Sequence, residues 1–178
     1  MGNRTRSIIL CALFAALSAV LSQISIPLGP VPINLTHLSI FLAAGLLGAK
    51  RAVISQAVFV LLGVVGAPVF SGFAGGVGIL LGPNGGFIVG YIGCALVAGW
   101  LMDHGARSMP GLLLAMYAGW VITYLLGILW FIYNTKTAFL AALPLCLFPF
   151  LPGDFLKTIV SAILVKRLRP MINRVGTR

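Results

Sequence analysis

No charged side chain occurs between Arg6 and Lys50, and none between Arg51 and Asp103. A chain that runs so far without charge cannot build a solvated surface, and this restricts its fold more than any single motif. Across all 178 residues only 8% are charged, where a soluble domain carries about 25%. The chain therefore reads as an integral membrane protein. Lipid supplies no hydrogen-bond partners for the backbone, so only helices or a closed barrel can cross it. Transmembrane strands would alternate apolar and polar residues, and these segments do not. The expectation is one all-α membrane domain over residues 1–178.

Six spans are predicted, at about residues 7–26, 36–49, 52–66, 86–102, 110–133 and 149–165. A helix rises about 1.5 Å per residue across a core of about 30 Å, so Ser7 to Ile26 is long enough. The second, third and fourth segments are short, which implies tilt or local bilayer thinning. Between the first two lies Pro27-Leu28-Gly29-Pro30-Val31-Pro32-Ile33-Asn34, where the prolines deny a helix. Thr36 is placed as the cap of the second helix, and Lys50-Arg51 as the break before the third. Ala67 to Gly85 is rich in Gly and Pro and is predicted to be irregular. Pro110 suits a first helical turn. Thr137 to Cys146 is too short to cross and reads as an interfacial helix. Arg4 and Arg6 ahead of an apolar run with Ser18 and Ala19 mimic a signal peptide; with further spans following, a retained first helix is expected.

The basic residues set the orientation. An even number of spans puts Arg4, Arg6, Lys50, Arg51, Arg107, Lys166, Arg167, Arg169, Arg174 and Arg178 on one side of the membrane, leaving Lys136 on the other and Lys157 inside a helix. Cytoplasmic loops carry the Lys/Arg excess, so both termini are expected in the cytoplasm of a multi-pass protein of the bacterial cell membrane. The net charge of +10 is then topological, with some attraction to anionic lipid, and no nucleic-acid partner is expected. The proline loop, the Gly-rich stretch and the start of the last span all fall on the outer face, where a ligand would enter.

The last span opens with Pro149-Phe150-Leu151-Pro152-Gly153-Asp154-Phe155-Leu156-Lys157. Asp154 is one of only two acidic residues in the chain, and it shares a helix face with Lys157 at i and i+3. An ionised side chain at the centre of a transmembrane helix costs about 2.5–3.5 kcal/mol. The pair either neutralises itself structurally or forms a polar floor for a ligand, the carboxylate accepting N–H donors and the ammonium pairing an anion. Gly82-Pro83-Asn84-Gly85-Gly86 opens the fourth span. It is a turn-rich helix start, or a place where Gly85 lets the backbone approach a ligand and Asn84 supplies a donor and an acceptor. Ala12/Ala16 and Ala15/Ala19 recur at four-residue spacing, a face for close helix contact within the bundle or with a partner subunit. Gly86, Gly90 and Gly93 suit internal packing. Trp100, Trp120, Trp130, Tyr133 and Tyr117 suit interfacial belts or pocket walls. Cys11, Cys94 and Cys146 lack metal-ligand spacing, and His37 and His104 are placed at interfaces, so no metal, cofactor or catalytic residue is expected.

The Gly82–Phe87 string with Gly90-Tyr91, the Pro149–Lys157 motif, the Val31-Pro32-Ile33-Asn34-Leu35 loop and the Ala-rich first span stand in an order that resembles the BioY family. That family comprises the biotin-specific substrate-binding (S) subunits of energy-coupling factor (ECF) transporters. The resemblance implies a six-helix bundle with an outward vitamin pocket capped by the loop that carries Pro32 and Asn34. It assigns Asp154 and Lys157 to substrate contact, with Asn84 standing where relatives often carry threonine. It implies that Ala12, Ala15, Ala16 and Ala19 face a transmembrane coupling subunit, which acts with two ATPase subunits, since no nucleotide-binding motif occurs here. An S subunit for another vitamin, an intramembrane enzyme and a small ion or proton channel are the alternatives. An enzyme would need a nucleophile–base set that two acids and two histidines do not supply at suitable spacing.

Overall fold

The computed structural model describes residues 3–27 and 31–176, with side chains for 4–27 and 31–170. Leu28, Gly29 and Pro30 of the cap loop lie outside the described residues, as do Arg178 and the side chain of Arg174. The chain is helical: α1 (Asn3–Gln23), α2 (Thr36–Leu47), α3 (Ala49–Val64), α4 (Val77–Leu81), α5 (Gly85–Asp103), α6 (Met109–Thr135), α7 (Phe139–Cys146) and α8 (Leu151–Gly176). A short antiparallel ribbon, β1 (Ser25–Ile26) with β2 (Ile33–Asn34), joins α1 to α2 and pairs Ser25 with Asn34.

Each predicted span contains a helix, but among the described residues only α1, α5 and α6 suffice, by length and composition, to cross a membrane alone. The bent pair α7 and α8, at 53°, would make a fourth crossing. The reason lies in α2. At twelve residues it rises about 18 Å, and ten of those residues are buried. It packs against α1, α3, α5 and α8. Apolar on every face beyond its first turn, where Thr36, His37 and Ser39 are themselves buried, it sits in the middle of the bundle. Ile40, Phe41, Phe59, Met102, Leu112 and Met116 fill the core around it. Ile8, Leu13, Val20, Leu61, Leu125 and Phe155 point outward, as apolar side chains facing lipid do.

Several boundaries differ from the sequence reading. The first helix stops at Gln23, and Ile26 belongs to a strand, because the ribbon satisfies backbone groups that the following prolines cannot. Thr36 does not cap α2: Leu35 stands at the N-cap position without a side-chain cap, and Asn34 Oδ1, just before it, accepts the Thr36 N–H at 3.1 Å. The break between the second and third helices falls at Gly48, with φ 83°, a conformation that suits glycine. Lys50 and Arg51 instead lie in the first turn of α3. Asp103, at the far end of α5, accepts the Ala49 N–H at 2.8 Å and so closes that junction. The last helix continues past Val165 to Gly176, carrying its basic residues beyond the apolar part.

Glycines set how closely α5 and α6 approach. A Cβ on Gly90 would lie 3.0 Å from the Thr123 Cα, and one on Gly86 2.5 Å from the Leu126 carbonyl oxygen. This close approach brings the side chains of α6 to bear on the start of α8.

Candidate ligand-binding site

Asp154 occupies the first turn of α8, anchored by its own N–H donating to the Phe150 carbonyl at 2.8 Å. Lys157 follows one turn later. Both are buried, at 4% and 8% exposure, and Nζ lies 2.8 Å from Asp154 Oδ1. The Tyr124 hydroxyl of α6 donates to Asp154 Oδ2. Lys157 Nζ also donates to the Asn34 carbonyl at 2.9 Å, tying the last helix to the ribbon between α1 and α2. Charges this deep need complete pairing. Here Oδ2 has the Tyr124 hydroxyl as its donor, and Oδ1 has the ammonium as ion-pair partner but no hydrogen bond of good geometry, leaving acceptor capacity on the buried carboxylate.

The walls are aromatic. His37 of α2 stacks on Trp120 with centroids 3.7 Å apart, and Trp120 stacks on Tyr124 at 5.5 Å. The Tyr91 ring meets His37 edge-on at 5.1 Å. Trp120 is held in place by donating its indole N–H to Thr158 Oγ1 at 2.9 Å, while Thr158 donates to the Asp154 carbonyl at 2.7 Å. Lys157 Nζ stands 5.5 Å from the Trp120 ring, within cation–π range.

Three cavities border this cluster: one of about 550 Å³, almost wholly apolar, reaches Asp154, Trp120 and Tyr124 from between α6, α7 and α8, and two smaller ones adjoin each other beneath the ribbon. Of these two, the smaller, about 30 Å³, is bounded by Asp154, Lys157, His37 and Trp120. The larger, about 230 Å³, is bounded by Phe59, Phe70, Ser71 and Asn84. They share Val31, Pro32, Asn34, Phe87 and Tyr91. The ribbon residues thus border both spaces, and the Asn34 amide fixes them by donating to Ser71 Oγ at 2.8 Å.

The structure therefore brings together Asp154, Lys157, Pro32 and Asn34, with Asn84 on the adjoining cavity. Asn84 Oδ1 is buried and accepts no hydrogen bond, an acceptor left unused on the wall of that space. Gly85 borders none of these cavities. A Cβ there would come 3.0 Å from Trp130 Nε1 and run into the Leu80 carbonyl, so its glycine is explained by packing between α4 and α6. The four alanines of α1 divide: Ala12 and Ala16 are exposed, Ala19 is half-buried, and Ala15 is 2% exposed within the bundle. Ala15 packs internally.

His37 is a correction. It is not interfacial but 6% exposed and central to the aromatic wall. Tyr124 was not singled out from sequence, although it follows Trp120 by four residues and must share its helix face. Among the described residues no cluster of three or more His, Cys, Asp or Glu side chains could hold a metal.

The BioY family model matches residues 1–174. The biotin transporter BioY of Thermotoga maritima is 37% identical over 169 residues, covering 93% of this chain and 97% of that protein. The probable biotin transporter BioY of Pyrococcus horikoshii is 34% identical over 166 residues, covering 93% and 98%. Among solved structures, the S-component for biotin from an ECF-type ABC transporter matches with a TM-score of 0.86 at 30% identity, over 96% of this chain and 95% of that one. ThiT from Listeria monocytogenes, at 17% identity and a TM-score of 0.65 over 96% and 98%, shares the fold.

Proposed function

This chain belongs to the BioY family, and from that premise we propose that it binds biotin as the substrate-specific S component of an ECF-type ABC transporter. The observation that carries the ligand assignment is the buried Asp154–Lys157 pair, 2.8 Å apart against an aromatic wall and directly under the ribbon. Biotin offers a ureido ring with N–H donors, an apolar thioether bicycle and a valerate carboxylate. In this reading Asp154 accepts a ureido N–H and Lys157 pairs with the carboxylate. Asn84 Oδ1 supplies a further acceptor from the adjoining cavity, while Phe87, Tyr91 and Trp120 enclose the bicycle.

The two cavities beneath the ribbon are small beside the roughly 300–1,000 Å³ of ordinary ligand pockets. For the ligand to bind there, the Pro32–Asn34 segment lifts and the Lys157 ammonium exchanges the Asn34 carbonyl for the ligand. The chain crosses the bacterial cell membrane six times with both termini cytoplasmic, the short α2 and α3 tilted within the bundle. It catalyses no reaction itself. A transmembrane coupling subunit and two ATPases supply the energy for uptake, the loaded subunit docking through α1.

Equilibrium binding of radiolabelled biotin, thiamine and riboflavin to the purified protein tests this. Saturable binding of biotin alone, near one per chain, is expected. Preference for another vitamin would move the chain to a different S-component specificity, and chemical turnover of biotin without ATPases would make it an enzyme.

A further inference from the structure

The end of the bundle opposite Asp154 carries a second, very different cavity. Its volume is about 530 Å³, and it lies where α2 meets α3, α5 ends, α6 begins and α8 leaves the apolar core. Four cations border it: Arg51 from α3, Arg107 from the α5–α6 turn, and Lys166 and Arg169 from α8. The carboxylate among them, Asp103, is engaged by the Ala49 N–H at 2.8 Å and forms no ion pair with any of the four among the described residues. Arg169 reaches inward far enough for Nη2 to donate to the Met102 carbonyl at 3.3 Å, and its Nη1 is buried with no acceptor. Buried donors are ordinarily paired; a guanidinium left with an idle N–H beside three further cations is organised to receive an anion.

The remaining lining decides which kind. Leu46, Leu47, Leu112 and Val165 make part of the cavity apolar, next to the basic side chains. A small soluble anion would use the cations and leave that surface wet. A phosphodiester attached to a glycerol and acyl chains would use both. Guanidinium forks match phosphate oxygens bidentately, and basic pockets between helices at a membrane surface suit acidic head groups. We propose that this cavity binds the phosphate of an anionic membrane lipid in the leaflet at that end of the bundle, with Arg169 and Arg51 as its principal donors. The assignment uses the membrane reading of the fold but is independent of which vitamin the Asp154 site takes.

Thermal unfolding and native mass spectrometry of the full chain in a neutral detergent test it, with phosphatidylglycerol, phosphatidylcholine, inorganic phosphate and a Glu-rich peptide as the probes. Phosphatidylglycerol should raise the Tm and stay bound as a discrete adduct, whereas phosphatidylcholine and phosphate should not. Arg169→Gln should lose about fivefold or more in phosphatidylglycerol affinity, and separately the double variant Arg51→Gln/Arg107→Gln about tenfold or more. Biotin affinity should stay within twofold of the parent in each. The double variant alters exposed side chains only, so it decides the question even if Arg169→Gln folds poorly. Equal stabilisation by inorganic phosphate would place a soluble anion there. Stabilisation by a Glu-rich peptide but not by the lipid would point to an acidic protein partner. Unchanged lipid binding in both variants would mean diffuse attraction. Any of these three results overturns the proposal.

Discussion

Replacing Asp154 by Asn is expected to weaken biotin binding by about 10- to 100-fold, and Lys157→Ala should do the same. A hydrogen bond to a charged group contributes about 1.5–3 kcal/mol, and each 1.4 kcal/mol is about tenfold in affinity. The two single variants should also unfold at lower temperature. Lys157→Ala leaves a carboxylate at 4% exposure with only the Tyr124 hydroxyl to satisfy it; removing one partner of a buried pair costs about 3–5 kcal/mol. The double variant Asp154→Asn/Lys157→Met separates the two roles, because it removes both charges together. Its thermal stability should recover towards the parent while its biotin affinity stays low. A structural pair without a ligand role predicts recovery of both, and isothermal titration beside a thermal scan distinguishes the outcomes.

The second large effect concerns assembly. Ala12 and Ala16 form the exposed part of the small-residue face of α1, whereas Ala15 is packed inside. Ala16→Leu is therefore expected to abolish co-purification with the coupling subunit and reduce uptake to background, with biotin affinity retained. Ala12→Leu should act in the same direction. Ala15→Leu should instead lower the Tm, since overpacking a filled core typically costs about 1–3 kcal/mol. Pull-down of the coupling subunit and radiolabelled uptake in cells provide the readouts. Normal assembly of both exposed-face variants would assign the whole alanine pattern to packing.

Much of this was legible in the sequence because charge is so scarce in it. With Asp103 and Asp154 the only acids, each had to have a local reason, and the structure supplies one for each. Asp103 accepts the Ala49 N–H at the α2–α3 junction, and Asp154 lies between Lys157 and Tyr124. Helix positions followed from the apolar runs and their proline and glycine breaks. What sequence reasoning missed were consequences of tertiary placement. His37 looked interfacial because α2 is short and begins beside a loop, but the enclosing helices bury it against Trp120. Asn34 was read as part of a cap and proves to bind three ways: through its carbonyl to Lys157, through its amide to Ser71, and through Oδ1 to the start of α2. Gly85, read from sequence as a place where backbone approaches a ligand, also has a packing reason to be glycine, since a Cβ there would run into the Leu80 carbonyl. The ribbon was not foreseen either, since two-residue strands carry no periodicity to detect.

The central claim is that biotin binds against the Asp154–Lys157 pair, and Trp120 reports on that place directly. The chain has three tryptophans. Trp100 is 52% exposed on the final turns of α5, and Trp130 lies farther along α6, bonded to the Gly82 carbonyl. In a Trp100→Phe/Trp130→Phe protein the remaining indole sits 5.5 Å from Lys157 Nζ. Titration with biotin should change its emission saturably, with the same Kd as radiolabelled binding, and Asp154→Asn should shift both curves together. Full radiolabelled binding with flat Trp120 emission would place the ligand elsewhere and contradict the account.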